Sequence, residues 1–128
     1  MKAKKTELQR LVAKAKRESL ENKFLFLWKA IQGPELNREV QFHPIRKWRF
    51  DFAWCNPRSN FNLAIEIEGG SWAGGAHTRG RHFESDCEKY FHAAMMGWIV
   101  IRLTGNMINK THLDQIAETI WTEKDFGT

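Results

Sequence analysis

The chain has 128 residues, of which 42% are hydrophobic and 27% are charged. These fractions are typical of one soluble globular domain and exclude a wholly disordered chain. A membrane-spanning helix needs about 20 consecutive apolar residues, and every apolar run in this sequence is much shorter. The basic N-terminus is not followed by the apolar segment of a signal peptide. Two cysteines are too few for a disulfide framework or a four-cysteine zinc site. We therefore expect one cytoplasmic domain over residues 1–128, with no membrane partner.

Positive charge is concentrated at the N-terminus. Residues 1–29 contain nine basic and three acidic side chains, whereas the rest of the chain contains eleven basic and twelve acidic ones. Such a segment indicates a polyanionic partner, although a solvated Lys-rich helix face explains this stretch equally well. A second basic cluster alternates with aromatic residues, a mixture found on nucleic-acid surfaces and on ordinary strands. This cluster consists of Arg46, Lys47 and Arg49, interleaved with Trp48 and Phe50.

The first half of the chain predicts a helical segment followed by strands. Apolar side chains at helical spacing place a basic N-terminal helical segment in residues 1–32, as one helix or as two that meet at Ser19. Three strands are predicted next, at residues 38–42, 47–54 and 61–68. The last two alternate between faces, and turn residues between them predict that they pair antiparallel. The aromatic residues that share one face of the first of these are Trp48, Phe50, Phe52 and Trp54.

The second half predicts a loop, a helix, a strand and a helix. Residues 69–80 contain five glycines and predict a loop whose backbone can approach a ligand closely. The following helix ends at Gly97, and its predicted buried stripe consists of Phe83, Cys87, Tyr90, Phe91 and Ala94. Residues 98–103 predict a strand covered on both faces, and residues 111–122 predict a C-terminal helix that begins with a capping box at Thr111. This order predicts an α/β fold, a mixed central sheet flanked by helices.

Three carboxylates lie on the non-core faces of the two predicted paired strands. They belong to Asp51, Glu66 and Glu68. Like charges this close repel one another, and a bound divalent cation is the most economical reason for keeping them together. Oxygen-only ligands suit Mg²⁺ or Mn²⁺. The alternative is that the glutamates point to solvent and pair with Arg49 or Lys47 across the hairpin.

Five segments carry a resemblance to a known family. They are RKWRFDFAW, LAIEIEGG, HTRG, DCEKY and GWIVIRLT, in this order between about residues 19 and 107. Together with the fifteen-residue spacing from Asp51 to Glu66, they resemble the PD-(D/E)XK nuclease superfamily, and more narrowly a bacterial and phage group related to very-short-patch-repair endonucleases. The resemblance implies a restriction-endonuclease-like core. It also implies a Mg²⁺- or Mn²⁺-dependent endodeoxyribonuclease that leaves 5′-phosphate ends.

The resemblance assigns roles to the carboxylates and to one lysine. Asp51 and Glu66 would ligate the metal together with the backbone carbonyl of Ile67. Glu68 stands where the superfamily usually has Lys, and it could add a metal ligand or accept a proton from water. Lys89, on the following helix, is the candidate replacement for that Lys. The alternative for Lys89 is a surface charge paired with Asp86 or Glu88.

Further candidates surround this group. Glu21 matches the position of an auxiliary acid, although it could simply pair with Arg17 in its helix. His77 could relay a proton or contact phosphate, or it could be a loop histidine with no function. The predicted DNA contacts are Lys14, Arg17, Arg46, Lys47, Arg49, Trp72 and Arg79.

Two other classes of function remain open. The chain could be a non-catalytic nucleic-acid-binding module on a decayed nuclease fold. The presence of Glu68 where the superfamily usually has Lys favours this alternative. It could also be an interaction protein whose basic helix meets an acidic protein or a membrane. A homodimer is compatible with the nuclease hypothesis, because domains this small often dimerise to cut both strands.

Overall fold

The computed structural model describes the backbone of residues 6–69 and 75–126 and the side chains of residues 6–69 and 83–125. The elements in chain order are α1 (Glu7–Ala30), β1 (Asn37–Gln41), β2 (Arg49–Asn56), β3 (Phe61–Ile67), α2 (Gly75–Met95), β4 (Trp98–Leu103) and α3 (Lys110–Phe126). The strand order is β1-β2-β3-β4, in which β1, β2 and β3 pair antiparallel and β3 and β4 pair parallel. The predicted α/β fold with a mixed sheet is therefore confirmed. Among the described residues, no helix is long and apolar enough to cross a membrane.

The N-terminal segment is one continuous helix. Thr6 and Gln9 form a capping box at its start, and no break occurs at Ser19. After the helix, the Trp28 indole donates a hydrogen bond of 2.7 Å to the Pro34 carbonyl oxygen. The chain crosses the indole ring at Gly33, where a Cβ atom would lie 2.3 Å from the ring. A glycine is therefore required at the end of this helix.

Hydrophobic clusters cover both sides of the sheet. The cluster under α1 and α3 includes Phe24, Trp28, Phe52, Leu63, Ile65, Leu103, Leu113 and Ile120. The cluster under α2 consists of Phe42, Phe50, Ala64 and Ala93, with Trp48, Trp98 and Val100 packed against it. β4 contributes side chains to both clusters, but Ile99 is 49% exposed, so the prediction of a strand covered on two faces holds only in part.

The prediction that the four aromatic residues of β2 share one face is wrong, because they divide between the two clusters. Phe50 stacks on Phe42 under α2, with ring centroids 4.2 Å apart, whereas Phe52 packs on Phe24 of α1 at 4.7 Å. The alternation breaks at Asp51, which lies between them. Pairing of β2 with β3 begins at Phe52, and Asp51 has no registered partner in β1 or β3, so the break lies where both ladders are interrupted.

The predicted buried stripe of α2 is also wrong. Four of its five members are exposed, namely Phe83, Cys87, Phe91 and Ala94. The face toward the sheet instead carries Ala93, which is fully buried, and the half-buried Lys89 and Tyr90. These two polar side chains contact Glu66 of β3, while the apolar stripe faces outward.

The remaining differences concern helix ends. α2 begins at Gly75, so part of the predicted glycine loop is helical, although each glycine costs about 1 kcal/mol relative to alanine. α3 begins at Lys110 and runs to Phe126. The Asn109 side chain accepts a hydrogen bond of 2.9 Å from the backbone N–H of His112, which makes Asn109 the cap in place of Thr111.

Candidate active site

A cleft of about 330 Å³ opens between α1, the adjoining ends of β2 and β3, and α2. Asp51, Glu66, Glu68 and Lys89 all line this cleft. Asp51 and Glu66 are the buried charged residues of the described chain, with 8% and 7% of their surface exposed. Buried carboxylates are costly unless they are paired and hydrogen-bonded, so the partners of each one define the site.

Asp51 is held by the backbone of β3 and by α1. One carboxylate oxygen accepts a hydrogen bond of 2.8 Å from the backbone N–H of Ile67. The other accepts a hydrogen bond of 3.2 Å from the Arg17 guanidinium. Burial alone would lower the pKa of Arg17, but the neighbouring Asp51 carboxylate outweighs it and raises that pKa. These two hydrogen bonds hold Asp51 at the residue where the side-chain alternation of β2 is interrupted.

Glu66 is held by two consecutive residues of α2. The Lys89 ammonium and the Tyr90 hydroxyl each donate a short hydrogen bond to its carboxylate. Burial and the bond to Glu66 raise the pKa of Tyr90, so the phenol stays a proton donor. The Lys89 ammonium also donates to the Arg49 carbonyl oxygen at 2.8 Å. Lys89 therefore contacts Glu66, and its predicted alternative partners bind elsewhere: Asp86 lies 3.9 Å from Arg102 and Glu88 lies 3.5 Å from Arg46.

Among the described residues, Glu68 pairs with Arg102 and not with the predicted Arg49 or Lys47. Arg102 was not predicted as a site residue. Arg102 of β4 donates a hydrogen bond of 2.6 Å to the Glu68 carboxylate. This bond raises the pKa of Arg102. The guanidinium also lies 4.6 Å from the centre of the Tyr90 ring. A charged residue within the otherwise apolar β4 was the available signal for this role.

A second acidic group meets Asp51 from α1 and β1. Carboxylate oxygens of Glu21, Glu39 and Asp51 lie within 4.8 Å of one another. Glu21 also lies 3.6 Å from Arg17 and 3.6 Å from Arg38, so it has the intrahelical partner that the sequence suggested. Its role as an auxiliary acid stays a prediction. Burial, followed by the nearby Asp51 charge, raises the pKa of Glu21.

Glu39 was not predicted as a site residue. It lies in β1 at a φ of 51°, a left-handed conformation that costs a non-glycine residue about 1 kcal/mol or more. No local sequence pattern indicates this conformation. Glutamate is an ordinary residue on an exposed strand, and its approach to Asp51 depends on the register between β1 and β2.

The predicted DNA contacts fall into three groups. Arg17 and Arg49 line the cleft. Lys14, Arg46 and Lys47 are exposed but do not line the cleft, and the Arg46 guanidinium lies 4.2 Å from the centre of the Trp48 ring. His77 and Arg79 lie in α2, with side chains outside the described set, and Trp72 lies outside the described residues.

Comparison with family models, with curated proteins and with solved structures finds no match for this chain. The chemistry of the cleft must therefore be argued from its own residues. Asp51 and Glu66 offer only oxygen atoms, the donors that Mg²⁺ and Mn²⁺ prefer. A carboxylate oxygen that accepts one hydrogen bond still has a free lone pair. The group of three described acidic side chains whose oxygens lie within 4.8 Å of one another is Glu21, Glu39 and Asp51, and it does not include Glu66 or Glu68.

Proposed function

We propose that the protein is a Mg²⁺- or Mn²⁺-dependent endonuclease that hydrolyses DNA and leaves 5′-phosphate ends. The observation that supports this most is the contact of Lys89 with Glu66 in the cleft that also holds Asp51. It supplies a lysine ammonium beside the two acidic residues, although the position that usually carries this lysine is Glu68. The restriction-endonuclease-like character of the core is part of the same proposal.

Asp51 and Glu66, with the backbone carbonyl of Ile67, are the residues that would hold the cation. A divalent cation bound there would lower the pKa of a bound water and neutralise charge on the scissile phosphate. The carboxylate oxygens of Glu21 and Glu39 lie within 4.8 Å of Asp51 and would add negative charge that attracts the cation. Burial keeps Asp51 and Glu66 in fixed positions, which favours a preorganised site.

The protein's own residues orient and stabilise the reacting groups. The Lys89 ammonium would stabilise negative charge that develops on the phosphoryl oxygens. The Tyr90 hydroxyl and the backbone N–H of Ile67 orient Glu66 and Asp51. The Arg17 side chain is 58% exposed at the cleft, and it would bind a flanking phosphate when a cation takes over the charge of Asp51.

A non-catalytic DNA-binding module is the second candidate. One observation favours it: Arg17 and Lys89 already neutralise both buried carboxylates. A site whose charges are balanced by protein side chains is stable without a metal, as expected for a nuclease fold that has lost its activity. The basic surface would then bind phosphates without cleavage.

Cleavage assays with Mg²⁺ and with Mn²⁺ separate the two candidates. Duplex, single-stranded and branched DNA are incubated with the wild type, with Asp51→Asn and with Glu66→Gln. The matched control is Glu118→Gln, which removes an exposed carboxylate on α3. Metal-dependent cleavage lost in the first two variants alone supports the nuclease, and cleavage that persists in them refutes it. DNA binding without cleavage in either metal supports the module.

A further inference from the structure

Two helices present apolar stripes to solvent. The α1 stripe consists of Leu8, Leu11 and Val12, which expose 70%, 57% and 47% of their surface. The α2 stripe consists of Phe83, Phe91 and Met95, which expose 66%, 59% and 69%, together with the exposed Cys87. Residues three and four apart on a helix are surface neighbours, so each stripe is continuous.

Both stripes point away from the cleft. α2 uses its inner face to bring Lys89 and Tyr90 to Glu66, and α1 uses its own to bring Ala13 and Arg17 to the cleft wall. An amphipathic helix normally buries its apolar stripe. Contiguous exposed apolar surface of this kind marks interaction sites, so the stripes need a partner that leaves the cleft accessible.

The charges around the two stripes are complementary. Residues 7–19 of α1 carry four basic and two acidic side chains, whereas residues 83–95 of α2 carry three acidic side chains and one lysine. Beside the α1 stripe, Lys14 follows Leu11 by three residues and Lys16 follows Val12 by four. Beside the α2 stripe lie the exposed Glu84 and Glu88.

We infer that the partner is a second copy of this chain, with the α1 stripe of each copy packed on the α2 stripe of the other. Such an exchange is closed by a two-fold axis, as in most homo-oligomers. It covers both exposed stripes with one kind of contact and pairs a basic helix with an acidic one. Self-pairing of α2 would instead bring Glu84 and Glu88 toward their own copies.

The exposed area is sufficient for such a dimer. A large apolar side chain that is about 60% exposed presents roughly 100 Å² of surface. Each contact contains three such side chains from each helix, and the dimer contains two contacts. The total of roughly 1,200 Å² reaches the lower bound of stable protein interfaces before any polar surface is counted.

An exchange of charges tests the pairing directly. One variant carries Glu84→Lys and Glu88→Lys, and the other carries Lys14→Glu and Lys16→Glu. Alone, each variant places like charges at both contacts, and we expect its dimer dissociation constant to rise about ten-fold or more at low salt. When the two are mixed, both contacts regain opposite charges, and a heterodimer of wild-type affinity should form.

The measurement is sedimentation equilibrium over a concentration series in the absence of DNA, with circular dichroism to verify folding. Phe91→Ser should abolish the dimer, whereas Ile45→Ser, which removes an apolar side chain that is 83% exposed outside both stripes, should leave it unchanged. These readouts do not depend on cleavage, so they stand or fall separately from the proposed nuclease activity.

Three results would overturn the inference. A wild type that stays monomeric at all concentrations would do so, whether or not its α1 stripe then binds vesicles of anionic lipid. A dimer that is equally stable in both charge variants would show that other surfaces form the contact. Dimerisation that is lost in each variant and does not return in the mixture would exclude the exchanged pairing of α1 with α2.

Discussion

The ammonium group of Lys89 contacts the buried carboxylate of Glu66 across the cleft between α2 and β3. Lys89 is itself mostly buried, with 15% of its side chain exposed, and its second partner is the Arg49 carbonyl oxygen. Three elements therefore meet at one ammonium group. The position of this group depends on α2 docking with its polar face inward, which links the orientation of the helix to the chemistry of the cleft.

Substitution of Lys89 tests its proposed catalytic role and its contribution to folding stability by separate measurements. We expect Lys89→Met to lower kcat/KM for DNA cleavage by about 10²–10³, the usual cost of losing one donor to a developing oxyanion. The variant should also unfold about 1–3 kcal/mol more easily without metal, because Glu66 loses a buried partner. Chemical denaturation and cleavage kinetics measure the two effects.

The control for this substitution is Lys124→Met on α3, which leaves the cleft intact. Saturating Mn²⁺ should recover part of the lost stability of Lys89→Met, because a cation binds the folded state and replaces the missing charge beside Glu66. Full cleavage activity in Lys89→Met would remove this lysine from the mechanism.

Much of the fold follows from patterns that are local in the sequence. The alternation in β2 and β3 predicts the hairpin, and the spacing of Asp51 and Glu66 predicts that both reach one end of it. The orientation of α2 could not be predicted in this way. An apolar stripe at Phe83 and Phe91 normally indicates the buried face, whereas in the structure Lys89, Tyr90 and Ala93 face the sheet.

Other features depend on contacts between distant parts of the chain. Phe50 and Phe52 lie in different clusters because Asp51 binds the backbone N–H of Ile67 instead of continuing the strand pairing. Glu39 approaches Asp51 because of a left-handed backbone conformation. Neither the hydrogen bond nor the dihedral angle leaves a signature in residue type or spacing.

The state of Tyr90 can be measured directly, because it is the single tyrosine of the sequence. Burial and the hydrogen bond to Glu66 raise its pKa in the folded protein above the ordinary value of about 10. The folded state therefore holds this proton more tightly than the unfolded state. Its stabilising contribution is complete below about pH 10 and is lost as the pH rises further.

Ultraviolet difference spectra recorded during an alkaline titration test this. We expect tyrosinate absorbance to appear only as the protein unfolds, and Tyr90→Phe to lower the free energy of unfolding by about 1–2 kcal/mol at neutral pH. A tyrosinate signal with a midpoint near pH 10 in fully folded protein would contradict the buried hydrogen bond.

The raised pKa of Glu21 predicts a second pH dependence of the same sign, at lower pH. Burial and the charge of Asp51 raise this pKa in the folded state. The carboxyl therefore contributes stability that is fully present below the ordinary glutamate pKa of about 4.3 and is lost as the pH rises through its raised value. Glu21→Gln removes this loss, so the variant should gain stability relative to the wild type as the pH rises from about 4 toward neutrality.

Urea unfolding at a series of pH values measures the effect of Glu21→Gln. Glu118→Gln, an exposed carboxylate on α3, is the matched control. If the stability of Glu21→Gln follows the wild type in parallel at every pH, the proposed electrostatic conflict with Asp51 is absent. Reduced metal-dependent cleavage in the same variant would support its role as an auxiliary acid.

Salt dependence tests the basic surface as the DNA contact. Each phosphate that the protein neutralises releases counterions, so the logarithm of the binding constant should fall linearly with the logarithm of salt concentration. Lys47→Ala and Arg46→Ala should each reduce this slope by about one and weaken binding to all sequences alike, because phosphate contacts carry no sequence information. Lys124→Ala, on α3, should leave the slope unchanged. A wild-type affinity that is flat between low and physiological salt would show that the exposed lysines and arginines do not bind the DNA backbone.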